Sequence, residues 1–91
     1  MAKVTLELPG VLHDIVGEGT LKLNAKTLAE ALEEAYRRMP ALRFHLCDDD
    51  GTFRRHVLCF HNEENTRDLK SLDVPLRDGD RISILQAISG G

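Results

Sequence analysis

The chain has 91 residues, 42% of them hydrophobic and 30% charged, with 12 basic side chains against 15 acidic ones and a formal net charge of −3. That length supports one compact domain, since domains mostly run from roughly 50 to 250 residues, and the composition excludes a disordered or collagen-like polypeptide. The mixed charge offers no single-signed field to nucleic acid or an anionic bilayer, no apolar run approaches the ~20 residues of a membrane helix, and Met1-Ala2-Lys3-Val4 lacks a signal-peptide core, so a cytoplasmic domain over 1–91 is expected.

In chain order, Lys3 to Leu8 alternates polar and apolar residues, which puts Val4, Leu6 and Leu8 on one face of a strand that Pro9-Gly10 ends. Val11 to Val16 reads as a loop leading to Gly17-Glu18-Gly19, and Thr20 to Asn24 alternates again. Two runs this close pair antiparallel, because a parallel crossover needs a dozen or more residues. Thr27-Leu28-Ala29-Glu30 has the form of a capping box, and Leu28, Ala31, Leu32, Ala35 and Met39 make one apolar stripe on the helix it opens. Glu30, Glu33, Glu34, Arg37 and Arg38 form its solvated face, with Glu33-Arg37 and Glu34-Arg38 spaced as i,i+4 pairs, and Pro40 stops it. A further helical turn is expected over Ala41 to Cys47, and Asp48-Asp49-Asp50-Gly51 reads as an acidic turn, since consecutive Asp residues lack the alternation of a calcium loop.

The strongest strand pattern spans Arg54 to Asn62, with Val57, Cys59 and His61 on one face and Leu58 and Phe60 on the other. Apolar groups on both faces mean either a strand covered twice or a face awaiting a partner. Asn62 to Asn65 turns, Thr66 to Leu69 is expected as a short edge strand, and Asp78-Gly79-Asp80 turns into a last strand, Arg81 to Gln86. Ile82 and Ile84 of that strand point inward and Ser83 and Leu85 outward. The sum is an α+β fold: a mixed sheet of four to five strands with one main helix across it, and a flexible tail over 86–91.

Catalytic motifs are absent from this sequence: it has no phosphate-cradling glycine loop, no H-E-x-x-H and no G-x-S-x-G. Cys59-x-His61 places two metal-ligand types on one strand face, but His13, His45 and Cys47 are scattered, so no metal site is expected, and both cysteines read as buried thiols. The chain closes on Ile88-Ser89-Gly90-Gly91. Glycines lack Cβ and let a chain end lie extended in a channel too narrow for side chains. A carboxylate there is a poor electrophile, and activation as an acyl-adenylate opens it to a sulfur or amine nucleophile.

The order of elements, the Asp78-Gly79-Asp80 turn and the Ile88-Ser89-Gly90-Gly91 end together resemble the MoaD/ThiS group of ubiquitin-like sulfur carriers with the β-grasp fold, over the whole chain. The stretch from Arg55-His56-Val57 to Asn62-Glu63-Glu64 looks most like CysO-type carriers. The resemblance implies that the chain is a protein co-substrate rather than an enzyme. It also implies that an E1-like enzyme adenylates Gly91 with ATP and magnesium, that a sulfur donor converts it to a thiocarboxylate, and that a partner synthase takes the sulfur. This would serve a cysteine, molybdopterin or thiamin type of synthesis, with no cofactor bound to the chain itself. By position the resemblance implies Leu58, Phe60 and Leu85 as the docking face, Ile88 and Ser89 as further partner-binding residues, and Gly90 with Gly91 as the reacting end. His61 and Gln86-Ala87 depart from the group's pattern, which favours an aliphatic residue and prolines there. A ubiquitin-like modifier joined through Gly91 to lysines starts from the same adenylate and is the second reading. An interaction module with an inert tail is the third.

Overall fold

The computed structural model describes residues 1–17 and 19–86, and of Ile15, Val16 and Asp68 the backbone alone. The two alternating N-terminal runs form β1 (Ala2–Glu7) and β2 (Thr20–Ala25), paired antiparallel from Ala2 opposite Ala25 to Glu7 opposite Thr20. The segment between them is the first correction, because it forms a helix, α1 (Gly10–Val16), where a loop is expected. Pro9 enters it with extended backbone, Leu12 is buried at 2% exposure, and Gly17 closes it in the left-handed conformation with its amide on the His13 carbonyl. Seven residues are too few to hold a helix by propensity, so burial of Leu12 and the glycine cap stabilise it.

The main helix α2 (Leu28–Arg38) starts at the expected cap, where Thr27 Oγ1 accepts the Glu30 amide at 3.2 Å. The Glu30 carboxylate reaches one residue further back than a capping box requires, accepting the Lys26 amide at 2.8 Å. The next amides, of Leu28 and Ala29, donate to the carbonyls of Val74 and Leu72, so a distant segment satisfies the helix start. Leu28, Ala31, Leu32 and Ala35 are buried as the stripe requires, while Glu34 pairs with both Arg37 and Arg38. Arg37 thus turns to Glu34 instead of the expected Glu33. Pro40 ends α2 and also opens α3 (Pro40–Leu46), since its missing amide costs nothing in a first turn. Leu42 and Leu46 of α3 are fully buried.

The apolar run forms β3 (Val57–His61), shorter than the expected Arg54 to Asn62. Arg54 is drawn out of the strand by its amide on the Leu46 carbonyl and its guanidinium on the Phe44 carbonyl. The edge strand lies at β4 (Glu64–Asn65), and Thr66–Asp68 forms a 3₁₀ turn where a strand over Thr66 to Leu69 is expected. The Thr66 hydroxyl, buried at 5% exposure, donates to the Cys59 carbonyl, and Asn65 accepts the Arg67 amide through its side chain. These side chains take up backbone groups that a longer strand would use, and the chain curls.

The last strand, β5 (Arg81–Gln86), runs parallel to β1 and antiparallel to β3, giving a five-stranded sheet in the order β2-β1-β5-β3-β4. This is the expected α+β β-grasp arrangement, with α1 and α3 in addition to the main helix. Val4, Leu6, Leu21, Leu23, Val57, Cys59, Ile82 and Ile84 point from the sheet to one core, which α1, α2 and α3 close with Leu12, Leu28, Leu32, Leu42 and Leu46.

Gly79, at φ 91°, takes the positive-φ turn before β5 that a side chain resists. Beside it Asp80 gathers three donors: His61 Nε2 at 2.8 Å, the Asn62 side-chain amide at 3.2 Å and the Arg77 backbone amide at 3.0 Å. The His61 and Arg77 hydrogen bonds lower the Asp80 pKa from 3.8 to about 2. A carboxylate whose pKa is depressed on folding contributes stability above its unfolded value and loses it as pH falls through the folded one. Unfolding monitored between pH 4 and pH 2 is therefore expected to show a stability loss that Asp80→Asn reduces. An identical acid profile in the variant would refute this role.

Candidate docking face and carboxyl-terminal site

Strand alternation leaves one face of the sheet uncovered by any described residue, and register decides which side chains meet there. Leu58 of β3 stands directly opposite Leu85 of β5, and Phe60 opposite Ser83. Leu85 is 47% exposed, and Leu58 and Phe60 are half-buried, so three apolar groups from two strands form one patch open to solvent. A hollow of about 330 Å³ lies against it, lined by Phe60 and Leu85 and bordered by Glu7 and Ser83. The Ser83 hydroxyl faces the Glu7 carboxylate at 3.5 Å, and Arg81 Nε lies 3.9 Å from the same carboxylate.

The structure thus brings together Leu58, Phe60 and Leu85. The remaining candidates, Ile88, Ser89, Gly90 and Gly91, lie outside the described residues, as does the tail from Ala87 onward. β5 is the middle strand of five, and Gln86 at its end pairs with Val57, one step beyond the Leu58–Leu85 pair. The apolar patch therefore sits at the end of β5 that leads to the glycines.

The thiols offer no rival site. Cys47 and Cys59 are both free and buried, and burial raises the Cys59 pKa to about 11, which keeps it protonated and unreactive at neutral pH. Cys47 contacts the Tyr36 hydroxyl at 3.4 Å, and burial together with that contact holds the phenol far above its usual pKa. The Cys59-x-His61 pair is split in function, with the thiol in the core and the imidazole on Asp80. In the acidic turn, Asp50 accepts the Thr52 amide and hydroxyl at 3.0 and 2.7 Å, while Asp48 faces Arg54 at 3.7 Å. Among the described residues no three His, Cys, Asp or Glu side chains converge to hold a metal ion, and no helix is long and apolar enough to cross a membrane.

The charged neighbours of the patch, Glu7 and Arg81, are absent from the residues singled out in the sequence. Their signal was present in the alternation, since both occupy outward positions, but only register shows that they share a surface with Phe60.

Comparison with known proteins matches residues 6–91 to the ThiS family. The sulfur carrier protein CysO of Mycobacterium tuberculosis is 26% identical over 91 aligned residues, covering 97% of this chain and 98% of that protein. Among solved structures, small archaeal modifier protein 1 from Methanosarcina acetivorans superposes with a TM-score of 0.81 at 28% identity, covering 100% of this chain and 98% of that one. The Amycolatopsis orientalis BexX/CysO complex contains a chain with a TM-score of 0.80 at 26% identity, covering 97% of this chain and 99% of that one.

Proposed function

The chain belongs to the ThiS family, and from that premise we propose that it is a sulfur carrier working through a thiocarboxylate at Gly91. Like the small carriers of that family it is a protein co-substrate and not an enzyme. The observation that carries the proposal is the family match running to Gly91, joined to an uncovered apolar patch at the end of β5 that leads there. In the proposed sequence the Gly91 carboxylate oxygen attacks the α-phosphorus of ATP on an E1-like enzyme, and magnesium pyrophosphate leaves. A sulfur nucleophile then attacks the acyl carbon, AMP departs with the electron pair of the broken C–O bond, and the thiocarboxylate remains. On a partner synthase the thiocarboxylate sulfur bonds to the acceptor, water then attacks the acyl carbon, the C–S bond breaks with its electron pair leaving on the sulfur, and the Gly91 carboxylate is returned. The complex of a related CysO chain with BexX supports docking of this fold on a partner protein.

Leu58, Phe60 and Leu85 form the docking face in this proposal, with Ile88, Ser89 and Gly90 threading the partner's channel. The test is incubation with an E1-like activating enzyme, ATP, magnesium and sulfide, followed by thiol-selective alkylation of the C-terminal peptide. Phe60→Glu is expected to melt close to the unsubstituted chain and to raise the KM for the carrier at least tenfold, because a charge in a desolvated interface centre is costly. Unchanged activation kinetics in the folded variant would take the docking role from this face. The likeness to an archaeal modifier supports a second reading, conjugation of Gly91 to lysines. Higher-mass conjugates in cell extract that vanish when Gly90 and Gly91 are deleted would favour it.

A further inference from the structure

The open sheet face carries charge as well as apolar surface, and the two are sorted along the strands. On β5 the outward side chains run Arg81, Ser83, Leu85 toward the glycine end, from cationic to apolar. Thr5 of β1 has Arg81 as its register partner on one side and Lys22 on the other, and Lys3 lies one outward position further from the apolar end. With strands about 4.8 Å apart, Lys22 and Arg81 flank Thr5 at on the order of 10 Å from each other, and the row lies about 13 Å behind Leu85. All three cations are exposed. The outward carboxylate on these strands is Glu7, which Arg81 already faces at 3.9 Å, while Asp78 at the margin accepts the Lys3 amide.

This concentration occurs on a chain of net charge −3, on which Glu30, Glu33 and Glu34 of α2 and Asp48 to Asp50 in the turn after α3 lie on other surfaces. We propose that Lys22, Arg81 and Lys3 form a second contact row that receives an acidic strip on the protein that docks Phe60, Leu58 and Leu85. The inference rests on the docking reading and deepens it by naming the partner's chemistry. A second copy of this chain fits poorly, because among the described outward strand positions of its own open face the carboxylate is Glu7, already beside a cation. Two contacts of different character 13 Å apart along β5 allow one orientation of the carrier, the one that points its C-terminal end into the partner's site, since a reversed carrier sets cations on apolar surface. The apolar patch then governs residence, and the row governs encounter rate and orientation.

The experiment is ATP–pyrophosphate exchange by an E1-like activating enzyme, with carrier concentration varied at low salt and at about 0.5 M NaCl, where the Debye length is about 4 Å. The Lys22→Glu/Arg81→Glu carrier is expected to raise the KM tenfold or more at low salt with kcat at saturation unchanged, and high salt narrows the difference. Lys22→Gln/Arg81→Gln, which removes charge without reversing it, shows the same direction with a smaller change and guards against a reversal that unfolds the sheet. A folded Gln variant with the KM and salt dependence of the unsubstituted chain would overturn the row. If Phe60→Glu still raises the KM at both salt concentrations in that case, only this inference falls. If Phe60→Glu is silent too, or the unsubstituted chain supports no exchange, the docking reading falls and takes the row with it.

Discussion

Removal of Gly91 is expected to abolish thiocarboxylate formation outright while leaving the melting temperature unchanged. The proposed chemistry occurs at one atom group, the terminal carboxylate, and shortening the chain by one residue withdraws it about 3.5 Å from a phosphorus that must be reached in line. Stability is expected to hold because the buried apolar core is built from residues between Val4 and Ile84. The decisive readout is alkylation, because exchange of oxygen for sulfur adds nearly the mass of a methionine oxidation. Met1 is 82% exposed and oxidises readily, and Met39 is a second site. An alkylated adduct that maps to the C-terminal peptide of the full chain and is missing from the shortened one establishes the carrier chemistry. Equal labelling of the two chains, or none in the full chain with a competent enzyme, would refute it.

Leu28→Ala is expected to be the most damaging of the α2 stripe truncations, costing about 3–5 kcal/mol, with Leu32→Ala nearer 2–3 kcal/mol. Both residues sit on the stripe, but Leu28 is fully buried and Leu32 borders a surface hollow of about 350 Å³ shared with Ala29, Phe53 and Leu72. Truncating Leu32 widens a space already open to water, whereas truncating Leu28 leaves a sealed void whose lining loses its contacts. For a domain of this size each kcal/mol shifts the melting temperature by about 4–8 °C, so the two variants separate clearly in a thermal melt. Equal melting temperatures, or a greater loss from Leu32→Ala, would contradict this placement of the helix.

Local pattern carried most of the fold. The bounds of β5 follow from alternation after Asp78-Gly79-Asp80, and the start of α2 follows from Thr27 and Glu30, because both signals act over a few residues. The apolar residues on both faces of β3 were legible for the same reason, as a strand either covered twice or awaiting a partner, and it was the resemblance that assigned Leu58, Phe60 and Leu85 to docking. Where neighbours distant in sequence supply the stabilisation, local pattern misplaced the elements. α1 depends on burying Leu12, β4 ends early because Thr66 turns to the Cys59 carbonyl, and the first amides of α2 rest on Leu72 and Val74.

Which residues point inward, the antiparallel pairing of the first two strands and the start of the main helix were readable along the chain, because periodicity and turn chemistry are properties of sequence neighbours. That Leu58 faces Leu85, that Lys22 and Arg81 flank Thr5, and that His61 meets Asp80 became visible with the register of the folded sheet. These are contacts across strands, and a shift of one residue in register would turn every outward side chain inward, so they exist only once the whole sheet has closed on its core.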